Sequence, residues 1–176
     1  MTDLLIRPAE PADLPAITAI YDEAVRFGTA SFELDPPDLA EMKRRMRGLL
    51  DGGYPYLVAM RAGALLGYAY AGPYRPRLAY RFAVEDSIYI APQARRTGVG
   101  RRLLDALIVA CEQRGYRQML AVIGDSANLA SIELHRRAGF EPVGTFANVG
   151  FKFGRWLDSV MMQRALGEGA SSLPEG

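Results

Sequence analysis

Apolar positions along the chain follow two different periods, and they predict a series of strands and helices. An apolar run at residues 4–7 stops at Pro8 and predicts a strand. Apolar residues at helical spacing begin soon after Pro11 and Asp13, which favour a helix start. Further segments show the same spacing, and most end near a glycine suited to a helix end. The predicted helices cover residues 14–24, 39–50, 98–115 and 128–138.

Runs rich in β-branched and aromatic residues predict the remaining strands. They cover residues 54–60, 64–71, 84–90, 118–123, 140–149 and 156–163. The order β-α-α-β-β-β-α-β-α-β-β favours one α/β domain, in which a mixed central sheet is flanked by helices on both faces. We assign this domain to residues 1–166 and expect residues 167–176, which lack an apolar pattern, to form a disordered tail.

Charge and rare residue types narrow the classes of function. The 21 basic and 20 acidic residues give a net charge of +1, and no block of like charge suggests a nucleic-acid-binding arm. The single cysteine, Cys111, cannot form an internal disulfide, and the single histidine, His135, argues against a structural zinc cluster. No secretion signal is recognisable, and no apolar run approaches the roughly 18 to 20 residues that span a bilayer. We therefore expect a cytoplasmic protein with no metal, no nucleic-acid partner and no membrane segment.

A basic, glycine-containing loop at residues 95–101 joins a predicted strand to a predicted helix and suits an anionic ligand. Its glycines let backbone N–H groups approach phosphate oxygens, the helix start adds the positive end of its dipole, and three arginines add charge. An ordinary turn with solvated arginines would also explain the pattern. The dinucleotide-binding fingerprint and the phosphate-loop lysine are both missing, which excludes those two nucleotide-binding families.

Two motifs in this half of the chain resemble the GNAT superfamily of N-acetyltransferases. Arg95, Gly98 and Gly100 match its acetyl-CoA motif, Arg/Gln-x-x-Gly-x-Gly/Ala. The family's Asn-x6-Tyr-x3-Gly-Phe pattern is matched at Asn128, His135, Gly139 and Phe140, with histidine in the tyrosine place. The resemblance implies an acetyl-CoA-dependent enzyme whose two central strands splay apart.

Four further runs are similar to the phosphinothricin and methionine sulfoximine N-acetyltransferase group, in which the histidine is usual. They are residues 84–90, 121–124, 130–135 and 149–158. The likeness extends over residues 4–166 and implies transfer of acetyl to the amino group of a small amino-acid-like substrate. It also implies direct attack in a ternary complex, and a homodimer. Arg77 departs from the group's pattern, which leaves the exact substrate open.

The resemblance assigns the cofactor site to three segments. Main-chain groups of Ile88, Tyr89 and Ile90 are expected to bind the pantetheine arm and polarise the thioester carbonyl, although their side chains would mainly be core. Asn128 would bond the same arm, or would only cap its helix. The remaining cofactor residues form the basic loop: Arg95, Arg96, Thr97, Gly98, Val99, Gly100 and Arg101.

Two side chains are candidates for proton transfer. An amine must lose a proton before it attacks a thioester, and Glu85, which faces the same way as Ser87 and Tyr89, is the candidate base, directly or through water. A salt bridge at a strand end would also explain Glu85. His135 could protonate the departing CoA thiolate, or could only hydrogen-bond and position the cofactor.

The substrate candidates lie in separate parts of the chain. Arginines of the loop before the catalytic strand could bind a carboxylate or phosphinate bidentately, or could simply be solvated. The full candidate set is Phe32, Arg75, Arg77, Arg81, Glu85, Ser87 and Lys152. Two other functions remain open at this point: acetylation of a protein N-terminus or another amine, and a non-catalytic acyl-CoA-binding module.

Overall fold

The protein forms seven strands and four α-helices in the predicted order, and a computed structural model describes residues 3–174. Residues 1, 2, 175 and 176, which belong to the predicted domain and tail, lie outside the described part. The strands are β1 (Leu5–Pro8), β2 (Tyr56–Arg61), β3 (Ala64–Pro73), β4 (Ala83–Ile90), β5 (Gln118–Gly124), β6 (Glu141–Lys152) and β7 (Arg155–Ala165). The helices are α1 (Leu14–Phe27), α2 (Leu39–Asp51), α3 (Val99–Glu112) and α4 (Leu129–Arg137).

The strands form one mixed sheet in the order β1-β2-β3-β4-β5-β7-β6. Strands β4 and β5 are its parallel pair, and the other neighbours are antiparallel. Pairing of β4 with β5 begins at Ala83 opposite Gln118 and ends at Asp86 opposite Ala121, although both strands continue. The predicted splay of the two central strands is therefore confirmed, and it opens the middle of the sheet.

Alternation along β4 shows that helices cover both faces of the sheet. The Tyr89 ring packs edge-on against Tyr21 of α1, with ring centroids 5.0 Å apart. Asp86, three residues earlier on β4, points the other way and contacts His135 of α4. Because successive strand residues face opposite sides, α1 and α2 cover the face of Glu85, while α3 and α4 cover the face of Asp86. We call these the α1–α2 face and the α3–α4 face.

The core fills both layers between sheet and helices. Helix α3 buries a stripe at helical spacing, and Leu103, Leu104 and Leu107 have no exposed surface. Tyr68 is the largest of the fully buried side chains and lies on β3 among other aromatic rings. Among the described residues no helix is both long and apolar enough to cross a membrane.

The middle of the predicted tail contacts the domain. Arg117 donates hydrogen bonds to Ser172 Oγ at 3.0 Å and to the carbonyl of Leu173 at 3.3 Å. Leu166, the last residue of the predicted domain, has no exposed surface. The domain boundary after Leu166 stays a prediction.

Candidate active site

The gap between β4 and β5 forms a cavity of about 190 Å³ that reaches both faces of the sheet. We call it the slot. It brings together residues that are far apart in sequence, including many of the predicted site residues. The lining residues that are polar, or that the sequence predicted for the site, are Ser31, Glu85, Asp86, Ser87, Ile88, Tyr89, Asn128, Ser131 and His135. Beyond Asp86, the edge of β4 that points towards β5 has no strand partner, so its backbone groups are free to bind a ligand.

Glu85 lines the slot from the α1–α2 face and is half-buried. Burial raises the pKa of its carboxyl above the usual value, the nearby Asp86 charge raises it further, and Arg75 opposes the shift. A carboxyl with a raised pKa is a stronger base, which suits removal of a proton from an ammonium group. Ser87, two residues further along β4, lines the same cavity opposite Tyr70 of β3.

The three candidate arginines of the loop before β4 are all exposed, and none of them lines the slot. The Arg75 guanidinium lies 5.1 Å from the Tyr74 ring centroid, and its charge reaches Glu85. Arg81 stacks on Phe82 at 4.4 Å, and Arg77 immediately precedes a short 3-10 turn. The structure therefore brings Arg75 towards Glu85, the candidate base, whereas the roles of all three arginines remain predictions.

Lys152 and Phe32 both hold the segment between α1 and α2, which supplies Ser31 to the slot. Lys152 is 4% exposed, and its ammonium donates to the carbonyls of Gly28 at 2.9 Å and Ser31 at 2.8 Å. The Phe32 ring packs on two glycines, because an added Cβ at Gly150 would come within 2.5 Å of it and one at Gly124 within 2.9 Å. These contacts make Lys152 a clamp on this segment, and its direct contact with substrate stays a prediction.

The predicted phosphate-binding loop has the geometry of an anion site. Gly98 has φ +84° and Arg96 has φ +61°, both left-handed, which turns successive N–H groups towards one side. The first-turn N–H groups at Val99, Gly100 and Arg101 have no hydrogen-bond acceptor among residues 3–174. These donors, together with the α3 dipole, are free to bind phosphate oxygens.

The arginines of this loop are partly engaged with protein partners. Arg95 pairs with Glu23 of α1 at 2.6 Å. Arg101 pairs with Asp105 at 2.7 Å and also donates to the carbonyl of Arg137. Sequence reasoning expected three arginines that add charge to this loop, and it missed these pairs because they depend on packing or on the helix face. Thr97 donates its hydroxyl to the carbonyl of Ala94, directly before the loop, so it holds the turn.

Helix α4 lines the slot from the α3–α4 face. Asn128 caps it, accepting a hydrogen bond from the Ser131 N–H at 3.3 Å, which is the predicted capping role. Its contact with the cofactor stays a prediction. His135 is 2% exposed and hydrogen-bonds Asp86, a residue that sequence reasoning missed. One signal could have found Asp86, namely a carboxylate at a core-facing position of an otherwise apolar alternation.

Cys111 takes no part in the slot. It is fully buried on α3, and burial raises the pKa of its thiol to about 12. A thiol that stays protonated at neutral pH is a poor nucleophile, which agrees with transfer without a covalent enzyme intermediate.

Comparisons with known proteins identify the class to which this fold and site belong. Residues 6–161 match the acetyltransferase (GNAT) domain family. The chain therefore belongs to the GNAT acetyltransferases, and it is an acetyl-CoA-dependent N-acetyltransferase.

Particular relatives place the chain more closely within the family. It is 58% identical over 170 residues to the phosphinothricin N-acetyltransferase of Alcaligenes faecalis, covering 97% of this chain and 86% of that protein. It is 47% identical over 159 residues to the L-methionine sulfoximine/L-methionine sulfone acetyltransferase of Pseudomonas aeruginosa, covering 90% of this chain and 92% of that protein. A phosphinothricin acetyltransferase from Sinorhizobium meliloti, solved with acetyl-CoA, is 50% identical, with a TM-score of 0.96 over 99% of this chain and 94% of that one.

Proposed function

We propose that the protein acetylates the α-amino group of a small amino acid whose side chain ends in a tetrahedral polar or anionic group, as in phosphinothricin or methionine sulfoximine. The observation that carries this proposal is the half-buried Glu85 on the α1–α2 face of the slot, with the Arg75 charge close to it. A base beside a cation suits a molecule that carries both an ammonium group and an anionic group. The two named relatives that act on such molecules support the same class.

The two faces of the slot suggest which reactant each face receives. Acetyl-CoA binds with its pyrophosphate at the start of α3, because free N–H groups and the helix dipole meet there. The pantetheine arm then follows the unpaired edge of β4 at Ile88, Tyr89 and Ile90, and Asn128 contacts it from α4. The acceptor amine enters from the opposite side, where Glu85 and Ser87 line the slot.

Transfer proceeds by direct attack in the ternary complex. Glu85 takes a proton from the substrate ammonium, directly or through a water, and the neutral nitrogen attacks the thioester carbonyl carbon. Backbone N–H groups on the free edge of β4 stabilise the oxyanion that develops there. The carbon–sulfur bond then breaks, and the amide and CoA leave.

Exposed arginines supply charge for the substrate's anionic groups. Arg75 lies nearest to the base, and Arg81 and Arg77 follow on the same loop. A cluster of three arginines favours anionic acceptors and repels polyamines. Phe32 and Lys152 act on the substrate through the segment that carries Ser31, which they hold against the slot.

A thiol-release assay across a panel of amines tests this substrate class. The panel comprises phosphinothricin, methionine sulfoximine, unmodified amino acids, polyamines and N-terminal peptides. We expect kcat/KM to be highest for phosphinothricin or methionine sulfoximine. A clear preference for peptides or polyamines would exclude the small-amino-acid proposal. No turnover of any amine, with acetyl-CoA still bound, would support a non-catalytic binding module instead.

We also propose that two copies associate through the exposed edge of the sheet. Strand β6 is the edge strand next to β7, and it carries exposed large apolar side chains. They are Val143, Phe146, Val149 and Phe151, with Trp156 beside them on β7. Such a long apolar edge is unfavourable in water unless another chain covers it. Light scattering should show a dimer that Phe146→Glu converts to a monomer. A wild-type monomer at micromolar concentration would refute this association.

The cytoplasmic location stays part of the proposal. It is supported by the single cysteine, Cys111, which is buried and unpaired. Proteins of reducing compartments commonly carry such free thiols. Fractionation of cells that express the untagged protein would test this location. Recovery of the protein outside the cytoplasm would contradict it.

A further inference from the structure

Asp86 and His135 form a buried pair at the point where β4 leaves β5. His135 Nε2 lies 2.9 Å from Asp86 Oδ2, and the two side chains are 3% and 1% exposed. Asp86 is also the last residue of β4 that pairs with β5, opposite Ala121. The pair therefore fastens α4 to the closed end of the slot.

The second ring nitrogen of His135 is also occupied. Nδ1 lies 2.8 Å from the backbone carbonyl oxygen of Ser131, which can only accept a hydrogen bond. The Ser131 hydroxyl lies farther from Nδ1, at 3.4 Å, so the shorter carbonyl contact assigns a proton to Nδ1. The closest contact of Nδ1 is thus with a backbone oxygen of α4, and the closest contact of Nε2 is with a carboxylate oxygen of β4.

A single proton must lie between Nε2 and Asp86. With Nδ1 protonated, Nε2 either donates to the carboxylate as an imidazolium or accepts a proton from the carboxylic acid. Without that proton, a lone pair and a carboxylate would face each other at 2.9 Å with almost no water. Burial lowers the pKa of His135, but the Asp86 hydrogen bond and charge and the Ser131 bond together outweigh it and leave the pKa raised.

We propose that Asp86 is a positioning residue that locks His135 through a shared proton, so that His135 shapes the thioester side of the slot and does not protonate the departing sulfur. This inference rests on one part of the proposed function, the transfer of acetyl to an amine, and does not depend on which amine is the substrate. It adds Asp86 to the residues of the reaction, and it selects positioning from the two roles that the sequence left open for His135.

The sulfur must then receive its proton from elsewhere. When the neutral amine attacks, the adduct nitrogen still carries two protons and a positive charge. As the carbon–sulfur bond breaks, the sulfur takes the electron pair and one of these protons, and the nitrogen keeps the other. The products are the N-acetyl amide and the CoA thiol, which balances without a proton from His135.

Few other titratable groups face the pair. Glu85 precedes Asp86 on β4 but points to the opposite face, and Asp86 raises its pKa. Cys111 on α3 faces Asp86, and it stays a neutral thiol because burial raises its pKa to about 12. The Phe140 ring covers His135 edge-on with centroids 5.0 Å apart. Among the described residues, Asp86 Oδ2 is the hydrogen-bond partner of Nε2, and the buried Asp86 Oδ1 has no partner.

The protonation of His135 can be observed directly, because it is the one histidine of the chain. The protein, made without a histidine tag and labelled with 15N-histidine, gives signals from just two ring nitrogens. We expect Nδ1 to stay protonated from about pH 6 to pH 9, and to remain so with acetyl-CoA or CoA bound. Loss of the Nδ1 proton in either complex would overturn the proposal. This arm needs no amine substrate, so it is independent of the substrate class.

Substitution of Asp86 separates positioning from proton donation. In Asp86→Asn the amide can donate to Nε2 of a neutral ring, which keeps the hydrogen bond but removes the acidic proton. We expect kcat to fall less than about tenfold, whereas loss of a general acid costs about 100-fold or more. A larger loss than tenfold, with acetyl-CoA affinity and the unfolding midpoint unchanged, would overturn the proposal.

A second variant tests the positioning role itself. Asp86→Leu leaves Nε2 without a partner, and we expect the Kd for acetyl-CoA to rise at least about tenfold. Unchanged affinity in a folded Asp86→Leu protein would overturn the proposal. Asp22→Asn is the matched control, because the Asp22 side chain is 40% exposed and pairs with Arg26 on α1, away from the slot. It should leave kcat and affinity unchanged.

Discussion

Replacing Lys152 by methionine should destabilise the protein and weaken substrate binding together. The ammonium donates to the carbonyls of Gly28 and Ser31 while only 4% of the residue is exposed. Methionine keeps most of the side-chain volume but supplies no donor. The two carbonyls then lose their partner in a region with little water.

The magnitude follows from these two hydrogen bonds. An unsatisfied buried polar group costs about 1–3 kcal/mol, and removing a buried ammonium recovers part of its desolvation cost. We therefore expect the free energy of unfolding to fall by about 2–3 kcal/mol. In a domain of this size that corresponds to a decrease in Tm of about 4–12 °C.

Differential scanning calorimetry and steady-state kinetics measure the two effects. We expect the KM for the amino acid to rise, because the segment that carries Ser31 is no longer held against the slot, while the Kd for acetyl-CoA stays the same. Lys43→Met, on the exposed side of α2, is the matched control and should change neither quantity. A raised KM with an unchanged Tm would refute the clamp and support direct contact of Lys152 with the substrate.

Three further predictions concern the proposed cofactor loop, the proposed base and the proposed substrate arginines. Gly98→Val should raise the Kd for acetyl-CoA in calorimetric titration, because the backbone at φ +84° disfavours a branched side chain. Gly100→Ala is the control and should leave the Kd unchanged, since its added Cβ meets only ordinary contacts at 3.5 Å or more. Equal affinities of the two variants would contradict this prediction. Glu85→Gln should lower kcat about 100-fold or more. In the wild type, kcat/KM should decline as the pH falls through the raised pKa of Glu85, and the variant should lack this decline. A decline that persists in the variant would assign the titration to another group. Arg75→Ala and Arg81→Ala should each raise the KM for an anionic amino acid at least about tenfold, or about 1.4 kcal/mol, with acetyl-CoA affinity unchanged. Arg75→Ala should also move the acidic limb to higher pH, because the Arg75 charge lowers the Glu85 pKa, and an unmoved limb would contradict that coupling.

The sequence by itself determined the order of the elements and the side of the sheet that each β4 residue faces. Both follow from local periodicity, since the repeat of a strand or helix decides which residues share a face. It also predicts an anion-binding loop at residues 95–101, because glycines and arginines at a strand-to-helix junction have a local physical meaning. The family, which the comparisons confirm, was recognised from local signals of the same kind. The strand period likewise places Glu85 and Ser87 on one face, and both line the slot.

Only the tertiary structure decided which distant side chains meet. Asp86 and His135 are 49 residues apart, and Lys152 and Gly28 are 124 apart, so no local period could pair them. The Glu23–Arg95 pair depends in the same way on how α1 packs beside the cofactor loop. Periodicity fixes the direction of a side chain from its own element, whereas its partner, burial and protonation depend on the packing of elements against each other.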